Sequence, residues 1–178
     1  MFNRFRRIAA VAVAVVALGA GGAAWAASSA SAASSASAPI GRCAADNLAI
    51  WVYADGADST GGTTFYNLEF TNMGRSTCFL DGFPGVAAST LGRVRLGAPA
   101  VRQYGVPAKV IDIAAGGTAH SLIGYIASRV GSACKPQSAG FLTVYAPGSP
   151  AAKRAFFPLP VCTTGRVDLN VRRVAAGF

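Results

Sequence analysis

Thr64-Phe65-Tyr66-Asn67-Leu68-Glu69-Phe70-Thr71 is the stretch that decides the fold. Tyr66, Leu68 and Phe70 alternate with Asn67, Glu69 and Thr71, the period of two by which a strand turns one face to a core and the other to water. Outward from it, helical periodicity is hard to find after residue 43, while short runs rich in Val, Ile, Leu, Phe, Tyr and Thr recur between Gly, Pro, Asp and Ser clusters. Strands are expected at residues 48–53, 64–71, 85–89, 94–96, 109–113, 119–127, 141–145, 155–157 and 167–172. Short strands at this spacing predict an all-β chain, an immunoglobulin-like antiparallel β-sandwich of seven to nine short strands. Residues 130–138, rich in Gly, Ser and Pro, read as a long loop.

The cysteines test this strand map. Strands 48–53 and 64–71 make a hairpin through residues 55–62, with its centre near residue 59, which carries Cys43 alongside residue 75 and close to Cys78. Strands 141–145 and 155–157 turn about Pro147-Gly148-Ser149-Pro150, and residue 148 is the midpoint of Cys134 and Cys162. Of three connectivities, hairpin geometry therefore favours Cys43 with Cys78 and Cys134 with Cys162. Two bridges closing loops of these lengths contribute roughly 3.5 to 4 kcal/mol each in the chain-entropy account. No C-x-x-C spacing marks either pair as redox-active.

An even cysteine count fits an oxidising compartment, and the N-terminus supplies the route. Arg4, Arg6 and Arg7 precede an apolar run that begins at Ile8, and Ala24-Trp25-Ala26 has the small-x-small form of a signal peptidase site. Residues 1–26 are expected to be a signal peptide, with a retained membrane anchor as the alternative. Residues 27–42, mostly Ala and Ser up to Pro39, are expected to be a disordered linker, and residues 43–178 a single domain. Three of the sixteen basic residues leave with the signal, so thirteen against seven acidic ones give the remainder a net charge of +6. A charge of that size serves solubility and also suits anionic wall polymers or lipid head groups.

The elements Asn72-Met73-Gly74, Cys78-Phe79-Leu80-Asp81-Gly82-Phe83-Pro84-Gly85-Val86 and Ile113-Ala114-Ala115-Gly116-Gly117-Thr118-Ala119 form a pattern. It resembles the secreted actinobacterial family called domain of unknown function 4232. There a strand ending in Asn-x-Gly leads to a cysteine, then to Gly-x-Pro, then to a strand ending in a turn before Ser/Thr-Ala. Cys134 and Val161-Cys162 stand where that family has its second cysteine pair, and Ala115 stands in place of its usual proline. The resemblance covers about residues 43–174 and implies an extracellular β-sandwich with no catalytic residues to carry over. The residues themselves agree: Gly82 and Gly85 are free to take positive φ around Phe83-Pro84, giving a compact double turn that positions the next strand.

No constellation specifies a reaction. His120 is the only histidine, read as a strand-edge residue, and no Gly-x-Ser-x-Gly elbow presents a nucleophile. With the cysteines paired, neither a metal site nor a cofactor is expected. Asp55-Gly56-Ala57-Asp58-Ser59 offers oxygen ligands but lacks a closing glutamate, so a hairpin connection is expected there rather than calcium. Glu69 and Asp112 are the pair a glycan hydrolase would need. Trp51 and Tyr53 either share an outward face or, in the reversed register, Trp51 fills the space between sheets; its frequent use as a sandwich filler favours core or half-buried packing. Arg93 and Arg95 alternate with Val94 and Leu96, which puts both guanidinium groups on one face. Trp51, Tyr53, Arg93 and Arg95 are thus the candidate binding surface. The expectation is a non-enzymatic exported domain, secreted or envelope-associated, that meets an extracellular protein or an anionic wall polymer. Nucleic acid is excluded by export and by the lack of a recognition motif. A membrane span after cleavage is likewise not expected. The alternative is a secreted protease inhibitor using loop 130–138.

Overall fold

A computed structural model describes residues 39–105, 107–126, 134–164 and 168–177, with the backbone alone for 54–58; all belong to the unit Ala38–Phe178. The expected signal and residues 27–38 of the expected linker lie outside the described residues. Within them, thirteen strands and one 3-10 turn, Ala45–Asn47, form three sheets. The first sheet has order β1-β4-β8, built from Gly41–Arg42, Cys78–Asp81 and Val110–Ile113. The second has order β11-β10-β5-β6, from Ala152–Cys162, Pro136–Tyr145, Gly85–Ser89 and Arg95–Leu96. The third has order β2-β3-β9-β12-β7, from Leu48–Thr60, Thr63–Asn72, Thr118–Tyr125, Leu169–Val171 and Val101–Arg102, with β13 (Ala175–Ala176) also on β9. Four of the thirteen are two-residue strands, and the nine longer ones carry the sandwich.

Period-two patterning builds the core. Leu68 and Phe70 of β3, Ile123 of β9, Leu80 of β4, Ile113 of β8, and Leu142 and Val144 of β10 are all buried in one cluster. That cluster draws on every sheet, and each such side chain contributes about 1.5–3 kcal/mol on leaving water. The six-stranded and four-stranded sheets meet across it: the Tyr66 and Phe157 rings lie edge to face at 4.8 Å. Across the same gap the Tyr125 hydroxyl donates to the Pro160 carbonyl at 2.7 Å. Burial, then Asp168 and Tyr66, hold the Tyr125 hydroxyl's pKa above its ordinary value, which keeps the proton in that bond.

Several expectations are corrected. The pairing is antiparallel apart from two short edge ladders, β1 on β4 and β7 on β12, which are parallel. Residues 55–62 are not a loop: β2 runs to Thr60 with a register shift between Tyr53 and Asp58, and the turn is Gly61-Gly62. Both glycines have positive φ, 59° and 74°, as a two-residue hairpin turn that matches strand twist requires. Residues 136–138 of the expected 130–138 loop belong to β10, where Pro136 pairs with Cys162, and residues 130–133 lie outside the described residues. Thr71 is buried rather than wetted, because its hydroxyl meets that of Thr118 at 2.6 Å across the sheet. β1 begins two residues before the expected domain start and pairs with Cys78 and Phe79.

Both bridges form as the hairpin geometry indicates, Cys43 with Cys78 and Cys134 with Cys162. The first does so by another path: Cys43 leaves the hairpin's sheet, and its N–H donates to Phe79 in the three-stranded sheet.

A candidate anion-binding groove on the four-stranded sheet

The outer face of the four-stranded sheet is set by its register. Gly85, Ala87 and Ser89 of β5 stand opposite Tyr145, Thr143 and Phe141 of β10. The last two face Arg154 and Phe156 of β11 in turn. Val86, Ala88, Leu142 and Val144, one residue out of phase, are buried on the other face.

A groove of about 580 Å³ opens on this face, with Arg93, Val94 and Arg95 on one side, Ala87 and Pro99 within it, and Tyr145 at the far side. Arg93, Val94 and Arg95 are exposed, and Tyr145 is 42% exposed. None of the residues lining the groove is acidic. Gly85 lines it in an ordinary strand conformation, and a β-carbon there would meet the Tyr145 side chain at van der Waals distance, the nearest atom 3.4 Å away. The expectation of positive φ at Gly85 is therefore corrected, since it is an extended strand residue; Gly82, with φ 105°, does adopt it.

Arg93 and Arg95 come to this face differently from the strand alternation first read. Only Arg95 lies in β6, paired with Ser89, whereas Arg93 sits in the preceding turn. Arg93 has φ 68°, the one positive-φ non-glycine among the described residues. Thr90 holds the turn: its carbonyl accepts from Arg93 N–H at 3.1 Å, its hydroxyl from Val94 N–H at 3.1 Å, and its own N–H donates to Val94 at 2.9 Å.

Beside the groove, Arg154 stacks 3.8 Å from the Phe141 ring centre and donates to the carbonyls of Thr90 and Leu91, bracing the turn from below. Phe156, 68% exposed, meets Phe141 edge to face at 5.6 Å. The sequence reading missed Tyr145 and Phe156. The alternation of Phe141, Thr143 and Tyr145 with Leu142 and Val144 carried the signal.

Trp51 and Tyr53 are on a different surface, the outer face of the six-stranded sheet, 44% and 50% exposed. Packing of Trp51 between the sheets is thereby corrected: Leu48 is buried in the core and Ile50 and Val52 pack against it, so parity turns Trp51 outward. Trp51 pairs with Glu69, and Glu69 with His120, which lies on a central strand and not at a strand edge. Burial raises the Glu69 carboxyl's pKa above its ordinary value, and the nearby His120 partly offsets this. Asp112 is on β8, in another sheet from Glu69, and both project away from the shared core, so the two carboxyls are not brought together. The side chains of Asp55 and Asp58 lie outside the described residues. Among the described residues no group of three or more His, Cys, Asp or Glu is placed to hold a metal. Among them no helix is long and apolar enough to cross a membrane.

The motif residues have structural work. Asn72, buried, donates to the carbonyls of Ser76 at 2.8 Å, Ile113 at 2.9 Å and Ala114 at 3.3 Å, and accepts from Gly74 N–H at 2.9 Å. Phe83 packs under Tyr104 and the guanidinium of Arg173, and Gly82 accepts from Val174 N–H at 3.0 Å.

The family model described as domain of unknown function (DUF4232) matches residues 43–176. No curated protein and no solved structure matches the chain.

Proposed function

The chain belongs to the DUF4232 family, and from that premise we propose that it is an exported, non-enzymatic binding domain whose groove on the four-stranded sheet holds an anionic polymer of the cell envelope. The observation that carries this reading is the pairing of Arg93 and Arg95 along one wall with no carboxylate among the lining residues. A cationic groove without internal acids raises the local concentration of polyanions and suppresses cationic partners. Two bridges in a strand-rich domain suit an oxidising compartment, and the second of them, Cys134 with Cys162, fastens the end of β11 in the sheet that carries the groove. The immunoglobulin-like arrangement is part of the same proposal: a rigid sandwich presents a face and turns, and binding needs no moving part.

The test is binding of the oxidised protein to a fluorescent polyanion as salt is raised, alongside an Arg93→Glu/Arg95→Glu variant. Affinity that falls steeply with salt and drops at least tenfold on charge reversal supports the reading. Equal binding by both proteins removes the groove from it.

A further inference from the structure

We propose that the face carrying the groove also docks on an anionic lipid surface, with Leu91, Val94 and Phe156 entering the headgroup layer and Arg93 and Arg95 meeting lipid phosphates. The arginines serve a soluble polyanion equally well. What goes beyond the polymer reading is a set of apolar side chains that a water-soluble chain leaves unused.

Leu91, 72% exposed, and Val94, 63% exposed, stand with Phe156 among the most exposed large hydrophobic side chains described. All three are on this one face. Leu91 lies over Gly140, where a β-carbon would stand 2.7 Å from its Cδ2. That places it beside Phe141, whose ring meets the ring of Phe156. Val94 lines the groove itself. Along β11 the exposed parity runs on from Phe156 through Pro158 and Pro160. An apolar surface left in water on this scale, bordered by charge, marks a place of contact.

Charge selects the occupant. None of the four strands of this sheet contains an acidic residue, and neither does the turn 90–94. A negatively charged surface therefore approaches Arg93 and Arg95 without local opposition.

The mixing of the two chemistries favours a bilayer over an acidic protein. Leu91-Gly92-Arg93-Val94-Arg95 interleaves alkyl groups and guanidiniums along one short turn and strand. Protein interfaces sort these groups, leaving the buried centre depleted of charge and the rim polar. A membrane interface accepts both at one depth, because an arginine stem lies along apolar surface while its head reaches a phosphate. The β11 edge is also closed to strand addition from another protein, since Pro158 and Pro160 have no N–H to give.

The unit Ala38–Phe178 holds the core and both bridges. The experiment uses it oxidised, without the apolar run that begins at Ile8 and would bind lipid by itself. Co-sedimentation is measured with vesicles of phosphatidylcholine and with vesicles of phosphatidylcholine and phosphatidylglycerol in equal parts. Binding is expected to the mixed vesicles and not to phosphatidylcholine, and it should weaken as salt rises. Arg93→Gln/Arg95→Gln should weaken it by about tenfold or more. Leu91→Ser/Phe156→Ser should weaken it by about tenfold while leaving affinity for the fluorescent polyanion unchanged. As a second readout, Phe156→Trp in a Trp51→Phe background keeps both positions aromatic, and its emission should shift to the blue with the mixed vesicles. A serine variant that binds vesicles as tightly as the wild type, or emission unshifted at saturating mixed vesicles, overturns insertion of the apolar side chains. Equal binding to both kinds of vesicle overturns the role of the arginines. No vesicle binding by a protein that does bind the fluorescent polyanion overturns the lipid proposal and leaves the polymer groove standing, whereas failure with both overturns the groove reading as well.

Discussion

Replacing Asn72 by alanine should unfasten three segments at once. Its amide is buried, and its Nδ2 hydrogens reach the carbonyls of Ser76 and Ile113, sharing a longer contact with Ala114, while Oδ1 accepts from Gly74. Two amide hydrogens and one acceptor make about three full hydrogen bonds, each worth about 1 kcal/mol net. Asn72→Ala also leaves the inward carbonyl of Ile113 without that donor, so a loss of about 3–4 kcal/mol is expected, a large share of a typical domain's 5–15 kcal/mol. At roughly 3 °C per kcal/mol for a domain of this size, the melting temperature should fall by about 10 °C. Asn72→Asp is the sharper control: it keeps the acceptor for Gly74 N–H but aims a carboxylate at carbonyl oxygens. It should be less stable than the alanine variant at neutral pH and recover as acid protonates it. Urea denaturation of the oxidised proteins at two pH values reads both effects. A loss below about 1 kcal/mol at unchanged m value, or an aspartate variant more stable than alanine at neutral pH, would refute this account of the Asn-x-Gly element.

Removing the bridges one at a time should cost up to about 3.5–4 kcal/mol each, with the two losses similar because the cysteines are 35 and 28 residues apart; denaturation midpoints of the two double-alanine variants check it. Arg93→Gly relieves the left-handed backbone and should leave stability unchanged or raise it by up to about 1 kcal/mol, while lowering affinity for the fluorescent polyanion. Glu69 has a raised carboxyl pKa in the folded chain, so the fold binds its proton more tightly than the unfolded chain does. Its contribution to stability therefore falls as pH rises from the unfolded value through the folded one. Glu69→Gln should accordingly raise the melting temperature at neutral pH, with the gain vanishing near pH 4.

The central strands were legible because their signal is local. In β3 and β5 the apolar parity and the bounding Gly, Pro and Asn residues say where each strand runs and which face is buried. The two-residue strands β1, β7 and β13 have no such signal: Gly41–Arg42 and Ala175–Ala176 become strands only through partners far along the chain. β11 was read too short because Pro158 and Pro160 argue against a strand interior. They are tolerated because β11 is the edge of its sheet, where a missing N–H faces no partner. The Asp-rich end of β2 looked like a loop by composition, but the Gly61-Gly62 turn carries the reversal and lets the ladder extend.

At the groove, Arg93 and Arg95 were visible as a pair but misplaced, since a positive φ in the Leu91-Gly92-Arg93-Val94 turn follows from long-range bracing by Arg154 as well as from Thr90. Tyr145 joins them only because β10 pairs with β5 and sets it over Gly85, sixty residues away in sequence. Trp51, whose exposure depends on which of two registers the hairpin adopts, was decided by Leu48, Ile50 and Val52 facing the core.

The most direct test of the groove is an amide and arginine side-chain NMR titration of the oxidised domain with poly(glycerol phosphate). The account predicts shifts concentrated at Arg93, Val94, Arg95, Ala87 and Tyr145, with Trp51, Tyr53 and Glu69 on the opposite sheet unmoved. Shifts centred on Trp51 and Tyr53, or none at Arg93 and Arg95 at saturating polymer, would contradict it.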